Sequence, residues 1–293
     1  MAHTGAVECV LPAAALLGEG ALWDPAARVL WWLDIKGRRI HRFDPGSGAT
    51  ASWPAPHDIG SLALRQAGGL VVAMHHGFYV FDPAAGGFTV IVEPEADMPE
   101  NRFNDGKPDR QGRFWAGSLH DPETRPTGGL YRLDADLSCR RLVDGIFASN
   151  ALAFGPDSDV LYYGDSQQRT VWAWDFDRDD GAIRNRRVFL ELQSGEGAPD
   201  GAAVDSAGGY WLTQPDGWCI CRYDPSGRRD RTIRLPVQRP TCVAFGGADL
   251  RTLYCTSCRW GLSETELHEQ PLAGGLFAIT VDIAGLPDAA FAG

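Results

Sequence analysis

The stretch ENRFNDGKPDRQGRFWAG, residues 100–117, decides the fold. Its second half reads as a turn, Asp109-Arg110-Gln111-Gly112, followed by a strand, Arg113-Phe114-Trp115-Ala116. A strand running into that turn opens with Asn104-Asp105-Gly106, which are poor strand formers. Amides and carboxylates suit a strand start only where something other than the core faces them.

The same turn-plus-strand unit recurs six times: DPAARVLWWLD (24–34), RQAGGLVVAMH (65–75), DRQGRFWAGSL (109–119), GPDSDVLYYGD (155–165), DSAGGYWLTQP (205–215) and GGADLRTLYCT (246–256). Each leads to a further aromatic or apolar strand, as in GFYVFDPAAG and WCICRYDPSG. No long amphipathic helix interrupts them. Units of about 40–50 residues with several strands each predict an all-β chain, a six-bladed β-propeller with four-stranded blades. The strand near residues 5–11 is expected to close the ring as the outer strand of the last blade, which removes a pair of exposed edges. The six units span the chain, so residues 1–293 read as a single domain.

Composition narrows the function. The 293 residues carry a net charge of −11, with no Lys/Arg cluster large enough for a nucleic-acid surface. Seven cysteines form no evident disulfide framework. Cys255-Thr-Ser-Cys258 lacks the further ligands that zinc needs. The N-terminus has no basic signal-peptide region, and no apolar run reaches the roughly 18 residues of a membrane helix. The chain therefore reads as soluble, reduced and cytoplasmic. A nucleophile elbow, a Walker loop and a Rossmann fingerprint are all missing from it.

Five residues before each turn stand Glu19, Gly60, Asn104, Asn150, Asp200 and Thr241. In a propeller these positions start the innermost strands and ring one mouth of the channel. The tight turns fall on the opposite face, while the longer segments 94–103, 119–129, 192–199 and 258–275 gather at the mouth, where binding sites usually lie. Glu19, Asn150 and Asp200 offer two carboxylates and one amide oxygen, a hard oxygen set suited to a divalent cation. The alternative is that they cap strand ends and bind water. Arg102 and Asn104 are candidate donors on the same rim, and His120 is a candidate proton carrier.

GEGALWD, NRFNDGKPDRQGRFWAGSL, SNALAF, APDGAAVDSAGGYW, and TCVAFGGADLRTLYCTS followed by GLSETELHEQPLAGGLFAI together resemble the gluconolactonase/regucalcin (senescence marker protein) family of six-bladed propellers. The resemblance covers nearly the whole chain. It implies one divalent metal held by Glu19, Asn150 and Asp200, substrate contacts from Arg102 and Asn104, and hydrolysis of an aldonolactone to its acid. For that reaction Asp200, through an oxygen not engaged with the metal, is the candidate general base. The ion stays open among calcium, zinc, manganese, magnesium and iron(II), and the sugar stays open too. There are two departures. Ala151 stands where the family often has Gly after the metal-binding Asn. Pro122 stands nearest to a substrate-contacting Glu of the family, which leaves Asp121 or Glu123 to take that role. The expected partner is a small-molecule sugar lactone, with neither nucleic acid nor membrane; the sequence carries no signal for an oligomeric state. Two competing functions are hydrolysis of other small esters or phosphotriesters on the same scaffold, and calcium binding without catalysis.

Overall fold

A computed structural model describes residues 4–293. Six four-stranded antiparallel sheets stand around a ring. The innermost strands are Gly18–Asp24, Ile59–Leu64, Asn101–Pro108, Ser149–Phe154, Ala202–Val204 and Pro240–Gly246. Each contacts the innermost strand of the blade on either side, so the ring is closed. The architecture is the expected six-bladed β-propeller. Glu8–Leu11 pairs antiparallel with Leu276–Thr280 as the outermost strand of blade six.

The core lies between blades rather than within them. Trp31, Leu33 and Ile40 of blade one pack against Ile59, Val72, Met74 and Phe81 of blade two. Trp115 and Leu130 of blade three meet Tyr163, Trp172 and Trp174 of blade four. Trp23, Leu30 and Trp32 meet Tyr254 and Leu276 across the junction of blades one and six. A lone blade would leave these apolar faces wet, so only the assembled ring buries them.

The tight turns use one recurring device. Asp109 Oδ1 accepts the Gln111 and Arg113 backbone N–H groups at 3.0 Å, and its Oδ2 accepts the Trp115 indole N–H at 2.9 Å. Asp205 repeats this with Ala207, Gly209 and Trp211 at 3.0, 2.8 and 2.8 Å. The spacing Asp-x-x-Gly-x-x-Trp thus ties a turn to the strand that follows it.

On that turn face the C-terminal segment forms a strap. Ser206 N–H donates to Ala284 and Gly285 N–H to Leu250; farther on, Phe291 N–H donates to Leu64 and Ala292 N–H to Gly112, all at 2.8–2.9 Å. Phe291 is fully buried among Ala63, Phe78 and Phe114. Asp288 pairs with Lys107 at 3.5 Å, and Leu286–Ala289 cover the inner-strand ends at Ala203 and Ala244.

The long 258–275 segment, expected from the sequence to be a loop, contains a short helix, Glu264–Glu269. Ser263 and Glu266 form both bonds of a capping box, and the Ser-x-x-Glu spacing is its sequence signal. Among the described residues no helix is long and apolar enough to cross a membrane. All seven cysteines are free, and Cys255 and Cys258 are buried, as small strand residues would be.

Candidate functional site

The opening stretch now has a local explanation. Strand pairing shifts register between Phe103 and Gly106, as it does between Glu19 and Leu22 and between Asn150 and Ala153. Gly20 follows Glu19 at φ +58°, and Ala151 follows Asn150 at φ +64°. A residue in the left-handed region within a bulge bends the strand and re-aims the neighbouring side chain. That conformation also explains why glycine suits the position that Ala151 holds here. The other two ring positions are structural. A Cβ on Gly60 would meet the Phe103 carbonyl at 2.3 Å, so glycine there lets the Asn104 backbone come close. Thr241 is buried and bonds the Gly18 carbonyl and Thr256.

Glu19, Asn150 and Asp200 are each 9% exposed at the channel mouth. Above them opens a cleft of about 810 Å³, lined by Asn150 and Asp200 together with Arg102, Asp121 and Glu123. The Glu19 and Asp200 carboxyls lie close enough to interact with each other. Burial, and then the charge of Asp105, pushes Glu19 up to about 8. Burial, and then Glu19 and Asp105, pushes Asp200 well above the usual carboxylate range. Two acids in this position share a proton unless a cation neutralises them. Among the described residues no three His, Cys, Asp or Glu side chains converge as a metal-binding group. A cation here would have to draw on the two carboxylates and the Asn150 amide oxygen, and that hard oxygen set fits one.

The Asn150 amide is held by a chain of hydrogen bonds across three blades. Arg102 Nη1 donates to Asn104 Oδ1 at 2.7 Å, and Asn104 Nδ2 donates to Asn150 Oδ1 at 2.9 Å and to the Ser149 carbonyl at 2.8 Å. Asn150 Nδ2 donates to Ser166 Oγ at 2.8 Å, and the Ser166 hydroxyl donates to the Pro199 carbonyl, next to Asp200, at 2.6 Å. The chain corrects one expectation. Both Asn104 amide hydrogens are engaged, so toward a ligand Asn104 can only accept, through Oδ1. Its main work is to orient Asn150 and Arg102.

Arg102 Nε donates to Asp121 at 2.5 Å, while Glu100 pairs with Arg125. Asp121 is also held by Lys36 Nζ at 2.9 Å. Burial alone would raise its pKa, but Arg102 and Lys36 outweigh burial and hold it low. Glu123 sits at the rim and accepts Gln167 Nε2 at 2.6 Å. His120 departs from expectation: it is 3% exposed, bonded to Arg125 and Thr124, and absent from the cleft lining, which leaves it no role as proton carrier. Sequence reasoning missed Ser166, Lys36, Arg239 and Trp260. The only signals were the Ser in YYGDS and the scarcity of lysine, since Lys36 is one of two in the chain.

Comparison with known proteins bears on the fold and the family. Residues 17–259 match the family described as SMP-30/Gluconolactonase/LRE-like region. The chain is 40% identical to a 6-deoxy-6-sulfogluconolactonase of Pseudomonas putida, covering 98% of this chain and 99% of that one. It is 37% identical to an L-arabinolactonase of Azospirillum brasilense, covering 94% and 92%. A solved structure of regucalcin, described as a calcium-binding protein, from Agrobacterium tumefaciens superposes with a TM-score of 0.94 at 27% identity, covering 98% and 97%.

Proposed function

This chain belongs to the SMP-30/gluconolactonase/LRE-like family, and on that premise we propose that it opens an aldonolactone to the aldonic acid with one divalent cation held by Glu19, Asn150 and Asp200. The observation that carries the reading is the pair of buried, interacting carboxyls of Glu19 and Asp200, the latter lining the cleft, beside an amide fixed by Ser166 and Asn104. Bound there, a hard divalent cation would ionise both acids and supply Lewis-acid polarisation of the lactone carbonyl.

The remaining chemistry belongs to the side chains. Asp200 takes a proton from the water that attacks the carbonyl carbon. It returns that proton to the ring oxygen as the ring C–O bond breaks, so the acid and the freed hydroxyl leave balanced. Arg102 commits Nε to Asp121 and Nη1 to Asn104, which leaves Nη2 for a substrate oxygen. Asn104 Oδ1 accepts from a sugar hydroxyl. Asp121, or Glu123 at the rim, accepts from others.

The test is acid release from a panel of five- and six-carbon aldonolactones, after chelation and with one divalent metal restored at a time. Metal-restored turnover is expected. Folded protein that opens no aldonolactone with any metal overturns the reading. In that case turnover of aryl esters or phosphotriesters would mark another hydrolase, and tight calcium binding alone would mark a non-catalytic propeller.

A further inference from the structure

Trp260 is the one aromatic side chain lining the cleft among the described residues. It is also the most exposed of the ten tryptophans, at 53%, whereas most of the others are buried in the blade interfaces. An indole left half in water at the wall of a binding cleft is an unfilled apolar surface.

Its position is fixed by the fold. Trp260 N–H donates to the Leu16 carbonyl at 2.8 Å, and Arg259 N–H donates to the same oxygen at 3.0 Å. Leu16 lies just ahead of Glu19, so the Trp260 backbone is tied to the segment that carries one of the two buried carboxyls. A turn closed from Leu262 N–H to the Arg259 carbonyl holds Trp260 at its corner, and Gly261 at φ +76° makes that turn possible. Arg239 Nη1 donates to the Trp260 carbonyl, and Arg239 Nε is anchored to Asp216 at 2.8 Å. Lys36 Nζ stands 5.7 Å from the indole centroid and is itself held by Asp58 and Asp121.

A sugar lactone presents two kinds of surface: oxygen atoms around its rim and C–H bonds across its ring faces. The cleft floor supplies polar groups for the oxygens. Only Trp260 supplies a flat aromatic face, whose negative quadrupole attracts polarised C–H bonds. We propose that Trp260 is a specificity-determining residue, the platform on which a C–H face of the sugar ring rests while the lactone carbonyl is presented to Glu19, Asn150 and Asp200. This inference rests on the lactonase reading.

The experiment compares wild type, Trp260→Ala and Trp260→Phe on the best aldonolactone. It also measures binding of the matching anhydroalditol, which keeps the ring and hydroxyls but has no carbonyl. Trp260→Ala should raise KM roughly three- to tenfold, the loss for one aromatic contact, and weaken the anhydroalditol to the same degree. Its kcat should stay within about twofold, because ground and transition states share the contact. Trp260→Phe should restore most of the affinity. An active wild type with unchanged KM and anhydroalditol binding in Trp260→Ala overturns the platform alone, and a changed oligomeric state in that variant would then assign Trp260 to an interface. A wild type that opens no aldonolactone overturns both readings.

Discussion

Stripped of cations, the protein is expected to weaken as pH rises, and Glu19 sets the size of the effect. Its pKa moves from an ordinary 4.5 in the unfolded chain to about 8 in the fold. Between those values the folded state binds the extra proton, so stability falls with increasing pH. The contribution is fully present below the unfolded value and lost as pH rises through the folded one. At about 1.4 kcal/mol per pH unit the whole span is worth up to about 5 kcal/mol, counted once because Asp200 shares the proton. His41 opposes it at the acid end. Burial lowers that imidazole from 6.5 to about 4, so its contribution is lost as pH falls through about 4 and gives the opposite slope below 6.5. From pH 6.5 to 8 the Glu19 effect amounts to about 2 kcal/mol and meets no His41 slope. Cys221, lowered to about 6 by its hydrogen bond to Cys219, gives an opposing slope there, so the Glu19 share is read as the difference between wild type and Glu19→Gln. The assay is urea unfolding followed by tryptophan fluorescence across pH 5–8.5, in chelator and in saturating divalent cation. In chelator, wild type should lose stability relative to Glu19→Gln as pH rises above 6.5, and saturating cation should remove that difference. Parallel profiles of wild type and Glu19→Gln in chelator would refute the shared-proton account of the site.

Asp200→Asn should lose at least about 100-fold in kcat on an aldonolactone; a near-normal rate at saturating cation would remove Asp200 as the base. Ser166→Ala cuts the bond that holds the Asn150 amide and should weaken cation affinity roughly 10- to 100-fold, as loss of an outer partner does, with calorimetric titration as the check. Phe291→Ala should cost about 3–5 kcal/mol in urea unfolding while leaving KM unchanged, because the strap lies on the turn face and the cleft on the other.

The sequence shows the propeller because its signal is repeated and local. The turn aspartates, the aromatic strands and the six-fold phase are each visible within a dozen residues. The Glu19, Asn150 and Asp200 positions follow from the same phase, since the starts of the innermost strands must face one another. The failures are contacts that no strand pattern encodes, most of them between distant segments. Asn104 looks like a free donor until Ser149 and Asn150 of the next blade occupy its hydrogens. His120 looks available until Arg125 and Thr124 enclose it. The strap, with its small residues and no periodicity, gives no hint that Phe291 returns to blades two and three. Ala151 is the reverse case. Its departure from glycine is plain in the sequence, but only its positive φ says what the departure means.

The shared construction of blade six bears on how the protein is made. Glu8–Leu11 and Leu276–Thr280 lie side by side, and Leu17 bridges to Cys258 just ahead of Glu19. A ribosome delivers Glu19, Asn150 and Asp200 long before it delivers Leu276–Thr280. Until blade six emerges, the early blades have an open seam beside blade one, and Leu17, just ahead of Glu19, lacks the Cys258 neighbour it bridges. Assembly of the Glu19, Asn150 and Asp200 cluster is thereby a late event of biogenesis, and a chain interrupted within blade six would carry all three residues without the ring that brings them together.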